Sequence, residues 1–251
     1  MGEGGKSFNR SCHLFSIYWG INRGGRNMFK AVLFDAYGTL LDVDAAAAQL
    51  ADSAQFPQLQ KCWPELAAVW RSRQLNYSWL RSLSHSYKPF WEITADALDY
   101  AMDTLGLTNT DMREALLHLY RELAPYEDAA IALEAVAAKG LPAAVLSNGN
   151  YEMLHTAFTA AGLMDRLDTL LSVEDVGIFK PAPEVYQLGC AKYSAQPVEI
   201  LFVSSNGWDA CAAGQFGFRT IWANRANLPV ERLPVPPHHI VGDLTGIDQF
   251  L

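Results

Sequence analysis

Five short, uninterrupted apolar runs frame this chain: residues 31–34, 143–146, 169–173, 200–203 and 220–223. They are rich in aliphatic and β-branched side chains. Hydrophobicity that is continuous rather than alternating predicts strands of a parallel sheet covered on both faces. Helical punctuation fills the intervals. Asp128 is placed to cap a helix over 129–139 that stops at Gly140, and Asn150 to cap one over 151–161 that stops at Gly162. Residues 183–193 and 208–216 read as two more helices. The proline-bearing stretch 228–237 reads as a surface loop before a last short strand near Ile240. Alternation of this kind predicts an α/β fold with a doubly wound, Rossmann-like, mostly parallel sheet whose ligands lie at the carboxyl ends of the strands. Asp35, Ser147 and Ser204 each sit at such an end, so residues distant in sequence are expected to meet in one crevice.

No strand run occurs between Asp42 and Ala124. Helical spacing dominates there, carried by Trp70, Leu75, Trp79, Leu83, Phe90, Trp91, Leu98 and Met102. The expected organisation is an α/β core from 28–41 and 125–251, with a helical cap from 42–124 inserted over the crevice. Trp63, Trp70, Trp79 and Trp91 crowd this insertion, and most are expected to form its own core, with one or two lining an apolar pocket. Residues 1–27 differ in character. Their apolar stretch from Cys12 to Ile21 is too short and polar to span a membrane and lacks a small-residue cleavage site. They read as a disordered extension ahead of a natural start at Met28.

Composition narrows the function classes. Of the 251 residues half are hydrophobic, enough for a sizeable core, and the net charge of −8 argues against a nucleic-acid footprint. A soluble, cytoplasmic protein is the expectation. An anionic substrate then needs a locally positive pocket. Cys12, Cys62, Cys190 and Cys211 show no CxxC spacing and the histidines no HxH or HExxH spacing, so no metal or other cofactor is predicted.

The chemistry starts at Asp35, which ends the first apolar run and opens the turn Asp35-Ala36-Tyr37-Gly38-Thr39-Leu40-Leu41. A carboxylate held where a buried strand gives way to a Gly-containing loop needs N–H donors and a cation around it. Such a placement suits a nucleophile that divides one hard step into two; a turn or helix-cap carboxylate is the plainer alternative. Asp-x-x-Gly-Thr-Leu after a hydrophobic strand resembles the first motif of the haloacid dehalogenase superfamily. The fuller version, Phe-Asp-Ala-Tyr-Gly-Thr-Leu-Leu-Asp-Val, resembles its L-2-haloacid dehalogenase (type II) branch. Three further blocks follow in the expected order: Leu146-Ser147-Asn148-Gly149, Lys180-Pro181-Ala182-Pro183-Glu184-Val185-Tyr186, and Ser204-Ser205-Asn206-Gly207-Trp208-Asp209.

The resemblance implies a set of site residues. Asp35 is the nucleophile, with the Thr39 hydroxyl beside it and the N–H groups after it, at Ala36 and Tyr37, available to a substrate carboxylate. Lys180 keeps Asp35 ionised and pairs with that carboxylate, although most lysines are solvated surface groups. Ser147 and Asn148 help to hold the same carboxylate. Arg71, in Trp70-Arg71-Ser72-Arg73-Gln74-Leu75, receives the departing halide, where bare sequence suggests only an exposed helix arginine. Leu75 and Phe90 form an apolar wall and Trp208 closes the pocket, while Asn206 binds halide or orients its neighbours. Asp209 positions Lys180 and activates water with help from Ser204, and it is also placed to cap the helix it precedes. Tyr186 either returns over the site or packs on the sheet.

Two departures from the superfamily's phosphatases bear on the reaction. Tyr37 replaces their general acid, and Ser204 and Ser205 stand where acidic Mg²⁺ ligands are usual. Halide needs neither proton nor metal to leave. The implied function is hydrolytic dehalogenation of short L-2-haloalkanoic acids to D-2-hydroxy acids through an aspartyl ester, with inversion at C2. Three alternatives stay open: the same nucleophile on another 2-substituted acid, such as a strained cyclic amino acid; a Mg²⁺-dependent phosphatase; and a catalytically silent binding protein. The expected partners are a 2-haloacid, halide, water and a second copy of the chain in a homodimer, with no nucleic acid and no membrane.

Overall fold

Strand β1 (Ala31–Phe34) is fully buried and lies mid-sheet in the computed structural model, which describes residues 28–43, 45–53 and 55–251. The expected extension over 1–27 lies outside the described residues. Beside β1 run β2 (Ala143–Ser147), β3 (Thr169–Ser172), β4 (Ile200–Ser204), β5 (Arg219–Ala223) and β6 (His239–Val241). The six-stranded order is β3-β2-β1-β4-β5-β6, and every pairing is parallel. The chain leaves β1 first toward β2 and β3 and later returns on its other side through β4. That reversal opens a crevice at the carboxyl ends of β1, β2 and β4.

Four helices separate β1 from the core helix that leads into β2: α1 (Ala45–Asp52), α2 (Leu59–Leu83), α3 (Phe90–Thr104) and α4 (Thr110–Arg121). This is the inserted helical cap. Trp70 Nε1 of α2 donates to the Thr94 carbonyl of α3 at 2.8 Å, and Gln74 Nε2 reaches Thr94 Oγ1 at 2.7 Å and the Tyr120 hydroxyl of α4 at 3.0 Å. A buried amide thus locks three helices together. Asn109 caps α4 by accepting from the Met112 N–H at 2.9 Å. The insertion reaches back to the core through Ser82 Oγ, which accepts from the Phe179 N–H, and through Trp79, set edge-on to Trp208 at 5.3 Å between ring centroids.

The core helices are α5 (Glu127–Ala138), α6 (Tyr151–Ala160), α7 (Pro183–Tyr193) and α8 (Gly207–Phe216). Both α5 and α6 stop two residues before Gly140 and Gly162. The expected caps differ in detail. Tyr126 holds the N-cap position of α5, and Asp128, one position into the first turn beyond Glu127, turns its carboxylate inward to Arg225 and the Leu244 N–H. A half-buried guanidinium outcompetes the helix's own N–H groups for that side chain. Asn150 does occupy the N-cap position of α6, but its side chain makes no capping bond. Among the described residues no helix is long and apolar enough to cross a membrane.

Helix α7 lies so close to the sheet that a Cβ on Gly189 would collide with Leu33 Cδ1 of β1. Gly189→Ala is therefore expected to destabilise the fold by about 1–3 kcal/mol, read as a lowered urea midpoint. An unchanged midpoint would show that this contact has slack.

Candidate active site

Asp35 continues the ladder beyond β1, its N–H donating to the Val203 carbonyl at 2.8 Å. The chain then folds under itself: the Ala36 carbonyl accepts from the N–H groups of Thr39, Leu40 and Leu41. Gly38 makes this turn at φ +89°, where a Cβ would also stand 3.0 Å from Ser205 Oγ. The turn aims the carboxylate into the crevice. Oδ1 accepts from Lys180 Nζ at 3.0 Å; Oδ2 accepts from Thr39 Oγ1 and Asn206 Nδ2, both at 3.0 Å. The N–H groups of Ala36 and Tyr37 have no partner among the described residues.

Lys180 is 1% exposed, and its ammonium bridges Asp35 and Asp209, the latter at 2.8 Å. The Phe202 ring lies beneath it, 4.9 Å from Nζ. Burial alone would lower this lysine's pKa, but Asp209 and Asp35 outweigh it and the net shift is upward. Asp209, in the first turn of α8, is completely buried. Its Oδ1 accepts from the Tyr186 hydroxyl at 2.7 Å and its Oδ2 from Ser204 Oγ at 3.1 Å. Burial raises its pKa against the pull of Lys180. Three converging donors suit the ionised form. Asp209 does not cap α8: Asn206 holds that position, and its side chain makes no capping bond.

Across the crevice, Arg71 leans in from α2. Its Nη2 donates to the Tyr37 carbonyl at 3.2 Å and to Asn206 Oδ1 at 3.3 Å, while Nη1 donates to Gln74 Oε1 at 2.8 Å. Asn206 therefore bridges Arg71 and Asp35. Between them lies a small pocket with apolar walls from Tyr37, Leu75, Phe90 and Trp208 and polar ones from Asp35, Arg71, Ser147, Asn148, Lys180 and Asn206. Ser147 Oγ accepts from the Gly149 N–H at 3.0 Å, leaving its proton for a ligand. Asn148 Oδ1 accepts from the Lys180 N–H at 2.9 Å and so orients the lysine's loop. Tyr37 is stacked on Tyr120, its hydroxyl buried without a partner among the described residues. Burial, with Tyr120 and Asp35 nearby, pushes that phenol's pKa well upward.

Of the residues singled out in the sequence, these ten line one pocket. Ala36, Thr39, Tyr186, Ser204 and Asp209 stand behind it and hold the ones that do. Tyr186 does not reach over the pocket; it packs against Phe202, Phe216 and Phe218 and donates its hydroxyl to Asp209. Gln74 was missed as an anchor for Arg71, although it follows by three positions, a helical neighbour spacing. Ser205, whose N–H donates to Thr39 Oγ1 at 2.8 Å, was missed too, and nothing local signals it.

The site's donor set does not suit a hard divalent ion. Asp35 and Asp209 both face the Lys180 ammonium, and Ser204 and Ser205 add no carboxylate. Removing that ammonium leaves two buried charges uncompensated. Lys180→Met is expected to lose about 3–5 kcal/mol of stability at neutral pH, and less as acid protonates the carboxylates. Urea melts across pH measure this, and a neutral-pH stability equal to wild type would refute the ionised triad.

The haloacid dehalogenase-like hydrolase family matches residues 29–217. The chain is 44% identical to (S)-2-haloacid dehalogenase 1 of Pseudomonas sp. strain CBS-3, over 88% of this chain and 96% of that protein. It is 43% identical to (S)-2-haloacid dehalogenase 4A of Burkholderia cepacia, over 87% and 93%. Among solved structures, the L-2-haloacid dehalogenase of Xanthobacter autotrophicus with chloropropionic acid covalently bound superposes with a TM-score of 0.77 at 34% identity, covering 88% of this chain and 98% of that one. On this sequence and structural likeness, the chain belongs to the haloacid dehalogenase superfamily, in its L-2-haloacid dehalogenase branch.

Proposed function

We propose that this hydrolase removes halide from short L-2-haloalkanoic acids, giving D-2-hydroxy acids through an ester on Asp35. One observation carries the reading: a buried carboxylate, bound by Lys180, Thr39 and Asn206, faces a small pocket with Arg71 on its far side. The substrate carboxylate rests on the Ser147 hydroxyl, the Lys180 ammonium and the unpaired N–H groups of Ala36 and Tyr37. The halogen points toward Arg71 and Asn206, with Leu75, Phe90 and Trp208 packed around it. An Asp35 oxygen attacks C2 from the opposite side. The C2–halogen bond breaks, halide leaves with the electron pair toward the guanidinium, and C2 inverts.

Water then attacks the Asp35 carbonyl carbon and gives its proton to Asp209. The bond from that carbon to the oxygen that attacked C2 breaks, and the departing alkoxide takes the proton from Asp209 and leaves as the hydroxy acid. The new Asp35 carboxyl group sheds its remaining proton to solvent as the carboxylate re-forms. Thr39 and Lys180 hold the ester and its oxyanion in place. Ser204 and Tyr186 keep Asp209 aimed at the site, and Asn148 keeps Lys180 in reach. The covalently bound chloropropionic acid in the Xanthobacter autotrophicus relative supports such an ester. Phosphoryl transfer is disfavoured because Tyr37 offers no acid for a leaving alcohol and Ser204 and Ser205 supply no carboxylate to hold Mg²⁺. We place the protein in the cytoplasm as a homodimer. The net charge of −8 and the exposed Leu80 and Leu83 on α2 support this.

Halide release from the two enantiomers of 2-chloropropanoate is the direct test. Turnover of the (S) form alone, indifferent to EDTA, is expected; no chloride from either form would sink the proposal. Asp35→Asn should cut the rate roughly a thousandfold or more, and single turnover in ¹⁸O-labelled water should place the label in the Asp35 side chain.

The pH profile has a sign as well. Lys180 is shifted above the ordinary lysine value of 10.5, so the charged form persists and halide release should hold well into alkaline conditions. Asp209 is shifted above the usual 3.8, so activity should fall on acidification sooner than an exposed carboxylate would dictate. A falling alkaline limb near neutrality would contradict the first statement.

A further inference from the structure

Behind the turn that carries Asp35 lies a second ionic cluster that does not line the pocket. Arg225 follows β5 and is mounted firmly, its N–H donating to the Ala223 carbonyl at 2.9 Å. Its guanidinium forks onto Asp128, Nη1 to Oδ2 and Nη2 to Oδ1, both at 2.8 Å, and Nη2 also donates to the Thr39 carbonyl at 2.8 Å. The Tyr126 ring lies 3.9 Å from Cζ, and the Leu244 N–H fixes Asp128 Oδ2 at 2.7 Å. The Asp128 and Arg225 side chains are only 7% and 19% exposed, so the pair is poorly screened.

Thr39 is the link to the chemistry. Its carbonyl is held by Arg225 while its hydroxyl holds Asp35 Oδ2. The same spot is where the chain leaves the α/β core for the helical cap and later returns. The two crossings lie side by side: the Asp42 N–H donates to the Ala124 carbonyl at 2.9 Å, the Tyr126 N–H to the Leu40 carbonyl at 3.0 Å, and Leu41 bridges to Pro125. Arg225 therefore grips the outgoing crossing through Thr39 and the returning one through Asp128 and Tyr126. A planar fork with donors on both sides can do this; a single ammonium cannot fill both roles.

We propose that Arg225 and Asp128 are positioning residues that clamp both core–cap crossings and so set the orientation of the Asp35 carboxylate through Thr39. The inference rests on Asp35 being the nucleophile proposed above. Because neither residue touches the pocket, loosening the clamp lowers the rate of ester formation and leaves substrate binding nearly intact. A displacement of the reacting oxygen by an ångström is enough for a large loss.

The test uses the full-length chain with Arg225→Met, Arg225→Lys and Asp128→Asn. The last keeps the shape of the side chain and an acceptor for Leu244. In Arg225→Met, kcat for (S)-2-chloropropanoate should drop about tenfold to a hundredfold, with KM within about a factor of three. Arg225→Lys should recover part of the rate, and Asp128→Asn should fall between. Hydrogen exchange gives a readout independent of turnover: the amides of Leu40, Asp42 and Tyr126 should exchange faster in Arg225→Met, with those of β1 and β4 unchanged. Unaltered exchange at the crossings overturns the clamp, and if Arg225→Met does not fold, Asp128→Asn decides the matter on the same two measurements. A loss confined to KM, or lowered urea stability at wild-type kcat, overturns the positioning role. Should wild type release no halide, the proposed function fails while the exchange data still judge the clamp.

Discussion

One buried ammonium between two buried carboxylates is the constraint around which this molecule is arranged. Lys180 is almost wholly desolvated, as is Asp209, and Asp35 is nearly so. Charges in that position are tolerable only when paired and hydrogen-bonded on every side. The surroundings meet that demand: Tyr186 and Ser204 complete Asp209, and Thr39 and Asn206 complete Asp35. Asn148 fixes the backbone from which the lysine extends. One ammonium thus serves two carboxylates in a site withdrawn from solvent.

The parallel sheet makes the arrangement possible. β1, β2 and β4 end at the same edge, so Asp35, Ser147 and Ser204 converge although more than a hundred residues separate the first from the second. The helical cap then supplies what the sheet edge lacks. Arg71 brings a positive charge to the side opposite Asp35, and Leu75 and Phe90 bring apolar surface. On the proposed function, attack and departure fall to different layers of the fold, the nucleophile to the sheet and the leaving-group pocket to the insertion. Their relative placement becomes part of the chemistry, which gives the crossings between them their importance.

The reading of the sequence succeeded where chemistry follows from local pattern. All five apolar runs are strands, and α7 spans the residues anticipated for it. Asp35 and Ser147 meet at one pocket as the strand-end rule predicts, and Arg71, Leu75 and Phe90 reach it from the cap helices. Local pattern misled at two helix starts. Asp128 has the composition and position of a helix cap, but a guanidinium nearly a hundred residues later takes the carboxylate. Asn150 sits where a cap should be and makes no capping bond. Ser205 and Arg225 gave no local sign of their partners, because each acts on a residue brought near only by folding.

By itself, then, the chain's hydrophobic pattern determined a parallel α/β core with a helical insertion, since burial on two faces demands continuous apolar strands. Its motifs determined the kind of nucleophile. Folding alone decided which polar groups meet. Hydrogen bonds and ion pairs act over about 3 Å, and no spacing along a chain encodes a distance of that size between residues on different strands and helices.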